Sequence, residues 1–120
     1  MKDSLLHSLT YVSRYYGLSN SPEALVNGLP LPEGKLTPLL LPRAAERAGL
    51  VAKEKNAPLE KVSELTLPAI LLTGHDEACV LLSIDQEKGQ AEIISQAQVY
   101  RNYNRAKRAQ RRVQWPLLLD

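Results

Sequence analysis

The sequence predicts an α+β fold, with helices gathered in its first half and an antiparallel sheet in its second. Two observations carry this. Early in the chain apolar side chains recur at helical spacing, whereas from residue 67 onward they come in short continuous runs of strand length. The runs are separated by a turn-forming stretch, Asp85-Gln86-Glu87-Lys88-Gly89.

The elements follow in order. Leu5, Leu9, Val12 and Tyr16 recur at i, i+4, i+7 and i+11, which is one face of an amphipathic helix. Asp3 or Ser4 can cap its start and Gly17 can end it. A short second helix is expected over 21–26, with Ser21 as N-cap and Pro22 in the first helical position. Residues 28–35 are rich in Gly and Pro and read as a loop. A third helix is expected from about Pro38 to Ala48 with Gly49 as its C-cap; Pro42 sits awkwardly inside it and would kink or restart it. Residues 51–55 read as a strand and 58–62 as a short helix. The main strands are expected at 67–72, 78–84, 90–94 and 113–119.

The bulk numbers narrow the class. A chain of 120 residues is one domain and buries roughly two-thirds of its unfolded surface. With 44% hydrophobic and 23% charged residues it has the composition of an ordered protein. No apolar run approaches the roughly 18 residues of a membrane span, and the N-terminus lacks a signal-peptide pattern. The one cysteine, Cys79, lies in an apolar run and reads as a buried structural thiol in a reducing compartment. The net charge of +2 hides an asymmetry. Arg101, Arg105, Lys107, Arg108, Arg111 and Arg112 form a basic block without an acid, and the rest of the chain is mildly acidic.

Several pieces, taken in order and spacing, resemble a known family. They are Arg14-Tyr15-Tyr16-Gly17, Ser21-Pro22-Glu23-Ala24-Leu25, the stretch 36–50 around Arg43-Ala44-Ala45-Glu46-Arg47-Ala48-Gly49-Leu50, Leu67-Pro68-Ala69-Ile70-Leu71, and Val80-Leu81-Leu82-Ser83-Ile84-Asp85. Together they cover nearly the whole chain and resemble the bacteriocin-processing cysteine peptidases at the N-terminus of bacterial ABC exporters. The resemblance implies a papain-like fold, with the N-terminal helices packed on the sheet. It also implies where catalytic groups would stand, and at each place this chain departs from the pattern. Ser4 occupies the position of the nucleophilic cysteine. A thiol at a helix N-terminus is driven towards thiolate, but a serine hydroxyl is far too weak an acid for that field to ionise it. The base, a histidine in the family, falls on Glu77, with His75 two residues away. The third member, an aspartate in the family, falls on Ser95-Gln96. The chain begins at Met1, which leaves no place for the family's oxyanion-hole glutamine.

This pattern resembles the degenerate peptidase-like domains of type I secretion exporters for large RTX toxins and adhesins. It implies a non-catalytic domain that engages unfolded cargo on the cytoplasmic side of the bacterial inner membrane. It further implies that residues 1–120 are excised from a longer exporter, dimeric at full length. No P-loop motif occurs in the chain. No metal, cofactor or nucleic acid is expected. Substrate contacts are expected from Tyr11, Tyr15, His75, Arg101, Arg105, Arg108 and Arg112. Two alternatives remain: a regulatory or assembly domain that touches the exporter's ATPase or lipid headgroups, and a hydrolase with a rebuilt Ser4/His75 site. Each feature also has a plainer account. Ser4 can be a helix cap. His75-Asp76-Glu77 can be a polar turn. Arg101, Arg105, Arg108 and Arg112 fall at i, i+4, i+7 and i+11, one stripe if the segment is helical, and that stripe can be a solvated face, a lipid contact or a site for acidic cargo.

Overall fold

The computed structural model describes residues 3–55, 67–74, 77–85, 87–88, 90–95, 98–101 and 112–118. Three α-helices come first: α1 (Ser4–Tyr15), α2 (Pro22–Val26) and α3 (Leu41–Ala48), with a 3-10 turn at Pro32–Gly34 before α3. Six strands follow: β1 (Leu50–Lys55), β2 (Ala69–Gly74), β3 (Glu77–Asp85), β4 (Gln90–Ser95), β5 (Gln98–Arg101) and β6 (Arg112–Leu118). They form one antiparallel sheet in the order β1-β6-β2-β3-β4-β5. The last strand therefore lies between β1 and β2.

Local chemistry fixes the helix ends. The Asp3 carboxylate caps α1 by accepting from Leu6 N–H at 3.1 Å. Gly17, at φ 78°, turns the chain out of α1, and its N–H donates to Arg14 C=O. The Ser21 hydroxyl accepts from Ala24 N–H to cap α2, with Pro22 in the first turn. The third helix begins at Leu41, later than expected at about Pro38. Its first turn holds Pro42, which needs no intrahelical donor there, and residues 38–40 form a preceding turn with Leu40 N–H donating to Thr37 C=O. Gly49 ends α3 in the left-handed region at φ 85°. A Cβ added at Gly49 would meet Leu18 Cδ1 at an ordinary 3.9 Å, so the backbone sets its cost. Gly49→Ala should therefore destabilise by about 1 kcal/mol, read as a lower urea midpoint at unchanged slope.

The strand boundaries also shift for physical reasons. β2 starts at Ala69 and not at Leu67, because Pro68 has no N–H for the ladder. The four-residue strand β5 has no clear signature in the sequence, and it places Arg101 in the sheet where the arginine spacing suggests a helix. The helix expected at 58–62 lies outside the described residues.

β2 and β3 read as continuous apolar runs because both sheet faces are buried. On one face Ile70, Leu72, Ala78, Val80 and Ile94 pack with Leu5, Leu9 and Val12 of α1, Leu25 of α2, and Leu41, Ala44, Ala45 and Ala48 of α3. On the other, Ala69, Leu71, Cys79, Leu81, Ala91 and Ile93 form a second cluster. Cys79 is buried there, as its apolar setting predicts. Of the three hydroxyls that α1 buries, Ser8 Oγ donates back to Ser4 C=O and Thr10 Oγ1 to Leu6 C=O, each at 2.8 Å, and Ser13 Oγ donates forward to Leu18 C=O at 3.2 Å.

Candidate functional site

The first turn of α1 is tied down from two sides. Asp3 Oδ2 accepts from Leu36 N–H at 2.7 Å while Oδ1 caps the helix, so one carboxylate anchors α1 to the segment leading into α3. Ser4 is the first residue of α1, and Asp3 takes the capping role that Ser4 was also offered. The Ser4 hydroxyl is used differently. Its Oγ accepts from the backbone N–H of Ala78 at 2.9 Å, joining the start of α1 to the start of β3. Glu77 is the first residue of β3, so this contact sets the start of α1 beside the strand position onto which the family resemblance places the base.

This contact engages one acceptor site of the Ser4 hydroxyl. A nucleophilic hydroxyl needs an acceptor to take its proton as it attacks. The contact at Ser4 Oγ is a donor, which draws on the lone pairs and lowers their nucleophilicity. His7 lies one turn on and is exposed. Ser4→Ala would leave the Ala78 N–H without this partner, and a loss of about 1 to 2 kcal/mol is expected by urea denaturation.

Beyond Ser4 a groove of about 250 Å³ runs between α1 and the sheet. His7, Tyr11 and Arg14 line it from α1 at i, i+4 and i+7, together with Ser8 and Thr10 of the same helix, Pro22 of α2, Val80 of β3 and Ile94 of β4. The lining joins buried apolar side chains to hydroxyls, an aromatic ring and a cation. A larger hollow of about 510 Å³ lies at the other end of the β3–β4 hairpin, between Leu67, Asp85 and Glu92. There the Ser83 hydroxyl donates to Glu92 Oε1 at 3.0 Å, and the carboxylates would repel an acidic chain. Among the described residues no three of His, Cys, Asp and Glu gather closely enough to hold a metal ion.

The remaining candidates are dispersed. Tyr11 lines the groove. Tyr15 does not; it is 58% exposed and meets Tyr16 edge to face, with ring centroids 5.6 Å apart. Ser95 ends β4, while His75, Gln96, Arg105 and Arg108 lie outside the described residues. Arg101 and Arg112 lie in strands and do not share a helix. Arg101 ends β5 and Arg112 begins β6, four inter-strand steps away, about 19 Å at normal sheet spacing. Nothing in the sequence marks His7 and Arg14 as ligand contacts, although their spacing with Tyr11 puts all three on one helix side.

Burial raises the Tyr16 phenol above its ordinary 10.0, and the nearby Tyr15 adds to the shift. A raised folded-state value makes this contribution to stability complete below about pH 10 and lost as pH climbs through the folded value. Urea midpoints should therefore fall on the alkaline side of Tyr16's ordinary value, and the Tyr16→Phe variant should show a smaller fall.

The Peptidase C39 family profile matches residues 1–107. The N-terminal peptidase C39-like domain of the toxin secretion ATP-binding protein from Vibrio parahaemolyticus superimposes with a TM-score of 0.90 at 55% identity, over 98% of each chain. A double-glycine motif protease from an AMS/PCAT transporter, solved with its leader peptide, aligns at TM-score 0.78 and 20% identity, over 97% of this chain and 84% of that one. The peptidase domain of Streptococcus ComA, a bifunctional ABC transporter of a quorum-sensing pathway, aligns at TM-score 0.78 and 19% identity, over 97% and 91%. These last two share the fold. Among curated proteins none matches.

Proposed function

The chain belongs to the Peptidase C39 family, and from that premise we propose that it is a non-catalytic, substrate-engaging domain of a type I secretion ABC exporter, binding unfolded RTX-type cargo beside the transporter. The observation that carries the reading is the donor at Ser4. Where the family's cysteine would stand, a hydroxyl accepts from Ala78 N–H and serves as a structural tie. The toxin-secretion relative supplies the exporter context. No helix among the described residues is long and apolar enough to cross a membrane. In this reading the domain acts at the cytoplasmic side of the inner membrane through its attachment to the rest of a dimeric exporter.

The mechanism is retention. Weak, reversible binding of an unfolded segment raises its concentration at the channel entrance. Ordering that segment costs a few kcal/mol, which keeps the affinity low and lets the cargo move on. The groove suits this task because Tyr11 offers a stacking surface and the exposed Arg14 attracts acidic chain.

An NMR titration with unfolded acidic cargo fragments tests the proposal. Resonances of His7, Tyr11, Arg14, Val80 and Ile94 should move, and the shifts should shrink with added salt. If no resonance moves at about 1 mM fragment, a range that weak recognition still populates, the cargo reading is wrong. Incubated cargo should stay intact. Cleavage that Ser4→Ala abolishes would instead establish a hydrolase.

A further inference from the structure

The groove continues past the end of α1 into a second recess. A hollow of about 480 Å³ lies between the last turn of α1 and the start of α2, lined by Arg14, Gly17, Leu18, Ser19, Asn20 and Ser21. Arg14 lines both the hollow and the groove, and Pro22 of the groove follows Ser21 directly in the chain. We infer that the hollow is an acidic-residue subsite: it takes the carboxylate of an aspartate or glutamate on an extended chain whose nearby side chain rests on Tyr11. This rests on the reading that the domain engages unfolded cargo.

The side chains of the lining are rich in donors and carry one charge, which is positive. Arg14 is exposed and pairs with no carboxylate among the described residues. A guanidinium presents five N–H donors in a planar fork that matches a carboxylate. Ser21 Oγ accepts from Ala24 N–H at 3.2 Å, which leaves its own proton to donate. Ser19 adds an exposed hydroxyl. No Asp or Glu is among the described lining residues, and Glu23 stands beyond Pro22 in the first turn of α2. The hollow at the β3–β4 hairpin has the opposite character, since Asp85 and Glu92 line it.

The loop is held in shape without a ligand. Ser13 is fully buried; its Oγ donates to Leu18 C=O at 3.2 Å and accepts from Asn20 Nδ2 at 3.1 Å. Leu18 N–H donates to Ser13 C=O at 2.9 Å, and the Leu18 side chain packs on the core under the helices. One buried hydroxyl thus fixes the residues on both sides of Ser19. A recess formed in advance loses less entropy on binding than a loose loop. Spacing sets the motif. Tyr11 and Arg14 are about 4.5 Å apart along the axis of α1. Residues two apart in an extended chain share a side and lie about 6.6 Å apart. With the reach of the Arg14 side chain, an acidic residue two positions from an aromatic one fits the pair.

Two blocked glycine–serine peptides of about seven residues test this on the isotope-labelled 120-residue chain. One carries a tyrosine two positions before an aspartate, the other a tyrosine two positions before an asparagine. The aspartate peptide should shift the Ser19, Asn20 and Ser21 amides together with Tyr11. The asparagine peptide should bind about tenfold more weakly, the loss expected for a charge-assisted hydrogen bond. Arg14→Gln should bring the aspartate peptide down to the asparagine level. Arg14→Lys keeps the charge but loses the fork, so it should weaken binding about threefold or more. Equal shifts at Tyr11 from both peptides, with residues 19–21 silent, overturn the subsite and leave cargo engagement standing. Undiminished binding by Arg14→Lys overturns it too, because charge alone would then suffice. So does an equal response of residues 19–21 to inorganic phosphate at the same concentration, which would make the hollow a general oxyanion site. Silence towards both peptides at about 1 mM, while acidic cargo fragments still bind, sinks the subsite alone. Silence towards peptides and cargo fragments sinks both readings.

Discussion

Leu9→Ala should cost about 3 to 4 kcal/mol. Leu9 is fully buried at the middle of α1, on the stripe that carries Leu5 and Val12 into the cluster formed by Val80 and Ile94. Truncation loses the transfer free energy of three carbon atoms and leaves a void that rigid neighbours fill poorly, because the sheet fixes one wall and α2 and α3 fix the others. A domain of this size has about 5 to 15 kcal/mol of total stability, so the loss is a large fraction of it. The urea midpoint should fall with the slope unchanged, since the surface exposed on unfolding hardly differs. A loss below about 1 kcal/mol would mean that α1 rests loosely on the sheet. The consequence for binding follows from geometry: α1 also forms the groove wall through His7, Tyr11 and Arg14. A displaced α1 should weaken cargo-induced shifts even under conditions where the variant remains folded.

The helical half was legible in the sequence because each helix declares itself locally. The Leu5/Leu9/Val12 spacing, Ser21 before Pro22, and Gly49 after Ala48 each name a face or an end without reference to the rest of the chain. The strands were legible as apolar runs, but their order was not. Nothing local in Arg112–Leu118 says that it inserts between β1 and β2, because that placement depends on pairings with residues some 40 to 70 positions earlier. β5 is illegible in the sequence because its four residues are too few for an alternation and the arginines after it suggest a helical period. At the site, the meeting of Ser4 with the start of β3 followed from the family resemblance. The sense of the contact, a backbone donor on the hydroxyl, is a property of the fold and has no signature in the sequence.

The same limit applies to Asp3, for which Asp3→Ala should cost about 2 to 3 kcal/mol. Sequence reading recognises Asp3 as a cap, and its Oδ1 does accept from Leu6 N–H. The second oxygen makes the longer-range contact, accepting from Leu36 N–H at 2.7 Å across 33 residues. Losing the cap alone costs about 1 kcal/mol, and a hydrogen bond to a charged group adds about 1.5 to 3 before relaxation and water offset part of it. The Leu36 side chain is fully buried, so its backbone has little room to seek another acceptor. Asparagine separates the two roles. Asp3→Asn keeps one oxygen and caps a helix as well as aspartate does, but its amide NH₂ would face the Leu36 N–H, donor against donor. The order of urea midpoints should be wild type, then Asp3→Asn, then Asp3→Ala. If Asp3→Asn matches wild type, the Leu36 contact contributes nothing and the carboxylate is a simple cap. If the order holds, Asp3 sets the height of α1 on the sheet and thereby brings Ser4 Oγ within reach of Ala78 N–H. Asp3→Asn should then also raise the hydrogen-exchange rate of the Ala78 amide, a local effect that a plain capping role would not produce.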